Sequence, residues 1–122
     1  GAVAFDLVAR EKTIVSPFEV TLIPLNVVIQ IPKGYGLFLV PRSSTPRKKS
    51  FLIPHGIGII DQDYCGEEDE LKLQVVNFSK ENVIVEKGER IAQAVIVKIA
   101  QVQFKEVSSM KKRSRGGFGS TG

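Results

Sequence analysis

The chain has 122 residues, 43% of them apolar, with no Trp and a single cysteine. This length is typical of one compact domain, and one cysteine excludes an intrachain disulfide. The formal charge of +4 comes entirely from Lys111, Lys112, Arg113 and Arg115, since the rest of the chain has 13 basic and 13 acidic residues. A neutral body with a basic tail argues against a stable nucleic-acid binder and suits a compact polyanion such as a triphosphate.

No basic segment followed by an apolar run marks a signal peptide. No apolar run approaches the roughly 20 residues of a membrane-spanning helix. We therefore expect an intracellular, cytoplasmic protein without a membrane partner.

Short apolar runs separated by proline and glycine turns predict an all-β domain with at most one short helix. In chain order the predicted strands are residues 4–8, 20–23, 27–30, 36–40, 57–60, 71–77, 82–85, 91–99 and 102–107. A short helix is expected after Ser43. From residue 108 onward the low apolar content predicts a flexible arm or a disordered tail. The chain is thereby divided into a domain at residues 1–107 and an arm at residues 108–122.

Two segments near predicted strand ends carry groups that bind cations or phosphates. Asp6 lies among apolar residues, where a carboxylate can hold a hard cation directly or through water. Arg42, Ser43 and Ser44 follow a proline that ends a strand, and they offer a guanidinium and two hydroxyls to phosphate oxygens. Taken alone, the same patterns also fit a surface aspartate and an ordinary turn with a helix cap.

The segment from Gly58 to Gly66 combines an apolar strand with two aspartates and a tyrosine. An aspartate is ionised at neutral pH, so Asp61 can accept a proton from water. Tyr64 offers a flat face on which a sugar can pack. A β-hairpin turn rich in Asp and Gly is the alternative reading.

Two later segments complete the set. Arg90 and Gln93 are three residues apart, which predicts opposite faces of a regular strand and different roles. The final segment, Gly-Gly-Phe-Gly-Ser-Thr-Gly, lacks the Lys of a Walker motif but lets backbone N–H groups approach phosphates. Phe118 has no local apolar partner, so a nucleobase is a good candidate for stacking, although low-complexity linkers have similar composition.

In order and separation these five segments resemble the five motifs of the trimeric deoxyuridine triphosphatases (dUTPases). The resemblance implies a distorted jelly-roll-like β-barrel, hydrolysis of dUTP to dUMP and pyrophosphate, and Mg²⁺ as cofactor. It also implies a homotrimer in which three chains share each active site and the arm reaches a neighbour's pocket. Such an enzyme limits uracil incorporation into DNA and supplies dUMP for thymidylate synthesis.

The resemblance also implies a role for each motif residue. Asp61 corresponds to the catalytic base, and Asp6 contacts Mg²⁺ through water. The backbone from Gly58 to Ile60 belongs to a hairpin that reads uracil, Tyr64 excludes a 2′-hydroxyl, and Phe118 covers the base. The implied nucleoside-binding set is His55, Gly58, Ile59, Ile60, Tyr64 and Phe118. The implied phosphate-binding set is Arg42, Ser43, Ser44, Lys72, Gln93, Arg113, Ser120 and Thr121.

Three features depart from the family pattern. His55 stands where several members have Asn, and Glu67, Glu68 and Asp69 resemble an insertion of acidic residues. Family members usually carry a strand before the first motif, and this chain begins almost at that motif. Two alternatives remain open: a dCTP deaminase-like enzyme of the same fold, and a non-catalytic nucleotide-binding or protein-binding homologue.

Overall fold

The computed structural model describes residues 1–120. Within that range the chain forms nine strands and one helix, namely β1 (Phe5–Val8), β2 (Thr13–Val15), β3 (Val20–Pro24), β4 (Tyr35–Pro41), α1 (Thr45–Lys49), β5 (Phe51–Leu52), β6 (Gly58–Ile60), β7 (Lys72–Asn77), β8 (Val83–Val85) and β9 (Arg90–Lys98).

The strands pair antiparallel in three sheets, and these sheets do not close into a continuous barrel. The sheet orders are β1-β9-β4-β6, β2-β8 and β3-β7-β5. The predicted all-β, jelly-roll-like class with one short helix is confirmed.

One apolar core joins the three sheets. Alternate residues of β4 and β7 point inward, so that Leu37, Leu39, Leu73 and Val75 are buried. This period of two is what a half-covered antiparallel sheet produces. Side chains from all three sheets belong to a single buried cluster, and this core fixes where the strand ends lie.

The helix α1 follows Ser43, where the sequence predicts a short helix or turn. Pro46 occupies its first turn, where the missing N–H is tolerated. Ser50 ends it in a left-handed conformation, with a φ of 55°, and donates its backbone N–H to the carbonyl of Pro46 at 3.0 Å. This helix, the only one in residues 1–120, is too short to cross a membrane.

The strand predictions at residues 27–30 and 102–107 were wrong. Residues 27–30 pack Val27 and Ile29 against the core without joining a sheet. Val102 and Phe104 are 74% and 97% exposed, and residues 102–107 pair with no strand within residues 1–120. The short strands β2 and β5 were missed because two or three residues carry no readable period.

Candidate active site

One group of polar side chains gathers where β1, β9 and β4 lie side by side. Asp6 of β1 and Val40 of β4 both pair with Gln93 of β9, so their side chains share a face of the sheet. Arg42 follows β4 directly, and its Nε lies 3.2 Å from Oδ1 of Asp6. Arg90 Nη1 lies 3.9 Å from Oδ2 of the same carboxylate. We call Asp6, Arg42, Arg90 and Gln93 the arginine cluster.

A β-bulge explains why Arg90 and Gln93 meet in this cluster. The pairing of β1 with β9 shifts between Leu7 and Val8, which leaves Ile91 as an extra residue on β9. One extra residue converts a three-residue separation into an effective separation of two. The prediction that Arg90 and Gln93 occupy opposite faces was therefore wrong.

Hydrogen bonds to the backbone hold the cluster in place. Gln93 Nε2 donates to the carbonyl of Pro41 at 3.0 Å, and Arg42 Nη1 donates to the carbonyl of Arg90 at 3.5 Å. The backbone N–H of Arg42 donates to Thr45 Oγ1 at 3.1 Å. The guanidinium of Arg42 is therefore fixed at the strand end.

The adjoining groove is suited to an anion. It has a volume of about 180 Å³ and is lined by Arg42, Ser44, Thr45, Lys48, Lys49, Glu89, Arg90 and Ile91. Lys49 is paired with Glu89, whereas Arg42 and Arg90 share only the one carboxylate of Asp6. Positive charge is thus in excess, and Ser44 lines the groove, whereas Ser43 is exposed and is not among the lining residues. Guanidinium and hydroxyl donors in this combination bind phosphate oxygens.

A second group lies along β6, which is an edge strand. One side of β6 pairs with β4, and the other side has no sheet partner within residues 1–120. Gly58 is required there, because a Cβ at this position would lie 3.1 Å from Cβ of Leu39 and 3.2 Å from its carbonyl oxygen. We call Gly58, Ile59, Ile60 and Asp61 the β6 edge. Its unpaired backbone groups can bind a ligand that offers matching donors and acceptors.

The implied hairpin is not formed as expected. β6 pairs with β4, whereas the following strand β7 lies between β3 and β5 in another sheet. The loop between them therefore bridges two sheets. Local sequence does not reveal this, because pairing partners are set by the whole fold.

Asp61 lines a cleft of about 550 Å³. The cleft is lined by Tyr35, Gly36, Phe38, Ile59, Ile60, Asp61, Gln62, Asp63, Ile99 and Gln101. Gln62 Nε2 donates to the carbonyl of Tyr35 at 2.8 Å, which ties the loop to β4. Asp61 is exposed and makes no ion pair within residues 1–120. An unpaired carboxylate of this kind is free to accept a proton.

Tyr64 is held in place through its backbone and through its side-chain hydroxyl. Its backbone N–H donates to the carbonyl of Asp61 at 3.2 Å, and its hydroxyl donates to the carbonyl of Glu70 at 3.2 Å. The side chain remains partly exposed. The ring therefore keeps an open face close to Asp61 in the chain.

Among the remaining predicted residues, His55 adjoins the β6 edge, since a Cβ at Gly58 would lie 3.8 Å from its Nε2. His55 Nδ1 accepts a hydrogen bond from Gln74 Nε2 at 3.1 Å, and Lys72 is an exposed residue opposite Pro24. In the arm, Arg113, Phe118 and Ser120 are all exposed. Ser120 Oγ accepts the backbone N–H of Gly117 at 2.7 Å. Thr121 lies outside the described residues.

The arginine cluster and the β6 edge occupy opposite ends of β4. Ile60, beside Asp61, pairs with Leu37, whereas Arg42 follows the far end of the strand. Arg42 lies five positions beyond Leu37, which corresponds to roughly 17 Å of extended strand. In one chain, therefore, the candidate base and the candidate phosphate-binding arginine do not face a common point.

Comparison with known proteins identifies the family of the chain. A family model described as dUTPase matches residues 1–122. The deoxyuridine 5′-triphosphate nucleotidohydrolase of Hydrogenobaculum sp. is 41% identical over 125 residues, covering 100% of this chain and 85% of the relative. The chain belongs to the dUTPase family. The crystal structure of dUTPase from Streptococcus mutans is 32% identical, with a TM-score of 0.79, and the match covers 84% of this chain and 83% of that one.

A second solved dUTPase extends the match into the arm region. A mutant of the dUTPase of Staphylococcus bacteriophage 80alpha, solved with dUpNHpp, is 28% identical with a TM-score of 0.80. That match covers 99% of this chain and 86% of the phage chain.

Some residues that surround the site were missed at the sequence level. Thr45 holds Arg42, Gln62 holds the loop beside Asp61, and Glu70 accepts the hydroxyl of Tyr64. Thr45 and Gln62 follow motif residues closely, so proximity was an available signal. Glu70 had no such signal, because its role depends on contacts with distant parts of the dUTPase-like fold.

Proposed function

We propose that this chain is a dUTP diphosphatase that hydrolyses dUTP to dUMP and pyrophosphate. The reaction would limit uracil incorporation into DNA and supply dUMP for thymidylate synthesis. The single observation that carries the proposal is membership of the dUTPase family across the whole chain. Since the substrate is an intracellular nucleotide, we expect the enzyme to act in the cytoplasm.

Each step of the reaction has a candidate group. The oxygen of a water molecule attacks the α-phosphorus, and the P–O bond that forms becomes part of dUMP. The bond from the α-phosphorus to the oxygen that bridges it to the β-phosphorus breaks, and pyrophosphate leaves with that oxygen. Asp61 is the proposed base that accepts the proton of that water. Arg42, with Ser43, Ser44 and Gln93, is proposed to bind the phosphates that leave as pyrophosphate. Such positioning and charge stabilisation account for most catalysis of phosphoryl transfer.

Recognition of the nucleoside is assigned to the β6 edge and its surroundings. The unpaired backbone of Gly58, Ile59 and Ile60 would bind the uracil edge, and a mismatched base would leave a buried group unpaired at a cost of about 1–3 kcal/mol. Tyr64 is proposed to pack against the deoxyribose and exclude a 2′-hydroxyl. His55 and Lys72 remain proposed neighbours of the nucleotide.

The arm, residues 108–122, is proposed to close over the bound nucleotide, with residues 1–107 as the domain. Phe118 contacts nothing that shields it in the single chain, since its side chain is fully exposed. Stacking on uracil would bury that ring. Arg113, Ser120 and Thr121 would then contact the phosphates.

The donor set fits a Mg²⁺ ion carried by the triphosphate. Residues 1–120 contain no cluster of three or more His, Cys, Asp or Glu side chains able to hold a metal by itself. Asp6 is one carboxylate, placed between two arginines that bind phosphate. Mg²⁺ typically takes one or two protein carboxylates, several waters and substrate phosphates, so Asp6 would touch it through water. When bound, the ion would neutralise charge on the triphosphate.

We propose a homotrimer in which each active site takes groups from different chains. The separation of Asp61 from Arg42 along β4 supports this, because the α-phosphorus and the leaving pyrophosphate are adjacent groups.

The outer face of the four-stranded sheet also supports the proposed homotrimer. Phe38, Val40, Ile59, Val95 and Val97 lie on that face, and Ile59 is 66% exposed. An apolar sheet face of this kind is typically covered by another chain.

Pyrophosphate release tests the proposal. The protein with Mg²⁺ should release pyrophosphate from dUTP and discriminate strongly against UTP, dCTP and dTTP. An ammonia assay with dCTP serves as the control for a deaminase. No pyrophosphate from dUTP, or ammonia from dCTP, would contradict the assignment.

A further inference from the structure

The acidic insertion after Tyr64 forms a closed turn. The backbone N–H of Gly66 donates to Oδ2 of Asp69 at 2.8 Å, and the N–H of Asp69 donates to the carbonyl of Gly66 at 3.1 Å. The side chain of Asp69 therefore closes the turn that it helps to form. The turn leads directly into Glu70 and then into β7.

The side chain of Glu70 is anchored to two other parts of the chain. Oε2 accepts hydrogen bonds from Arg10 Nε and from the backbone N–H of Asn26, both at 2.8 Å. Arg10 belongs to the loop after β1, and Asn26 follows β3. Glu70 is only 20% exposed, whereas Arg10 is 46% exposed. The hydrogen bond from Arg10, together with that from Asn26 and the nearby positive charge, lowers the pKa of Glu70.

The backbone of Glu70 in turn holds the ring of Tyr64, since its carbonyl accepts the tyrosine hydroxyl at 3.2 Å. The next residue, Leu71, is fully buried. The backbone N–H of Leu71 donates to the carbonyl of Val27, and the carbonyl of Leu71 accepts from the backbone N–H of Leu25, both at 2.9 Å. Backbone hydrogen bonds therefore hold Leu71, and the Glu70 side chain holds the residue before it to Arg10 and Asn26.

We propose that Arg10 and Glu70 are positioning residues that hold Tyr64 and thereby set the preference for deoxyribonucleotides over ribonucleotides. This rests on the proposed function. A ring excludes a hydroxyl group sterically only if it does not move aside. Tyr64 is tied at its backbone to Asp61 and at its hydroxyl to Glu70. Without the Glu70 side chain, residue 70 loses its hydrogen bonds to Arg10 and Asn26. The carbonyl that accepts the Tyr64 hydroxyl can then shift, and the ring can make room for a 2′-hydroxyl.

The test compares Glu70→Ala and Arg10→Met with Glu68→Ala as the matched control. Glu68 lies in the same turn, is exposed, and forms no ion pair within residues 1–120. The kcat and KM for dUTP and UTP are measured well below the unfolding temperature of each variant. The ratio of kcat/KM for dUTP to that for UTP should fall at least about five-fold in both test variants and stay unchanged in the control. Arg10→Lys, which keeps a cation near Glu70, should retain most of the ratio.

A second measurement reports on the ring itself. The chain has two tyrosines and no Trp, so fluorotyrosine labelling gives two ¹⁹F resonances, and Tyr35→Phe assigns them. The Tyr64 resonance should shift in Glu70→Ala and not in Glu68→Ala. An unchanged substrate ratio in Glu70→Ala, with wild-type protein that hydrolyses dUTP, would overturn the proposal. Wild-type protein that fails to hydrolyse dUTP would instead overturn the proposed function and the selectivity claim with it, while the ¹⁹F shift would still test the tether.

Discussion

At the arginine cluster, Arg42 and Arg90 pair with Asp6, and Gln93 binds a backbone carbonyl. At the β6 edge, by contrast, one side of the backbone has no sheet partner, and Asp61 makes no ion pair within residues 1–120. The first region is already arranged for an anion. The second is an open edge beside a wide cleft. The two lie at opposite ends of one strand, so the comparison teaches that a single chain carries two incomplete halves of a site.

The largest expected effect comes from the isolated carboxylate. Asp61→Asn keeps the size of the side chain but removes the proton acceptor, so kcat should fall by about 10²–10⁴-fold. Binding of dUpNHpp, measured by calorimetry, should change little. Turnover near the wild-type rate would remove Asp61 from the mechanism.

Removal of the arm should produce the next largest effect. Deleting residues 116–122 removes the ring of Phe118 and the hydroxyl of Ser120, and we expect kcat to fall by about 10²–10³-fold, as for the loss of transition-state donors. Thermal unfolding should be unchanged, because Gly116 and residues 118–120 are already exposed. Full activity in the shortened chain would contradict the closing role.

Gly58→Ala tests how closely the β6 edge approaches β4. The added methyl group would press on Cβ and the carbonyl oxygen of Leu39, which predicts a loss of about 1–3 kcal/mol in the free energy of unfolding. The affinity for dUMP should fall as well. Gly117→Ala is the matched control, since a Cβ there meets nothing within 4 Å. Equal stability of both variants would mean that the edge can shift without cost.

The smallest expected effect concerns the Arg10–Glu70 pair. Because the pKa of Glu70 is lowered in the folded chain, its charge stabilises the fold above the ordinary value of about 4.5, and that contribution is lost as the pH falls through the lowered pKa. Glu70→Gln should therefore unfold at a lower temperature than wild type at pH 7. The difference should disappear well below pH 4.5. A difference that persists there would show that charge is not the cause.

The sequence was informative where strands are long and motif residues stand at their ends. β1, β4, β7 and β9 follow from apolar runs between turn residues, and α1 follows Ser43 as predicted. The motif order also identified Asp6, Arg42 and Gln93, which the fold brings together.

Other features depend on pairing between distant segments, which local sequence does not encode. The bulge at Ile91 arises from the register between β1 and β9, and it alone brings Arg90 to the face of Gln93. The same reason applies to β6, whose neighbour is β4 and not β7. Residues 102–107 alternate like a strand, but alternation alone does not pair a segment with a sheet, and these residues form no strand. The anchoring of Tyr64 through Glu70 and Arg10 joins residues that are 60 positions apart.

Mixing two inactive variants tests most directly whether each active site combines Asp61 of one chain with Arg42 of another chain. Asp61→Asn and Arg42→Ala are unfolded together in equal amounts, refolded and assayed for pyrophosphate release from dUTP. If Asp61 and Arg42 of a site come from different chains, about one quarter of the sites in the mixture regain both groups, and activity should return to about one quarter of the wild-type rate. Activity no higher than the average of the two variants alone would contradict the account.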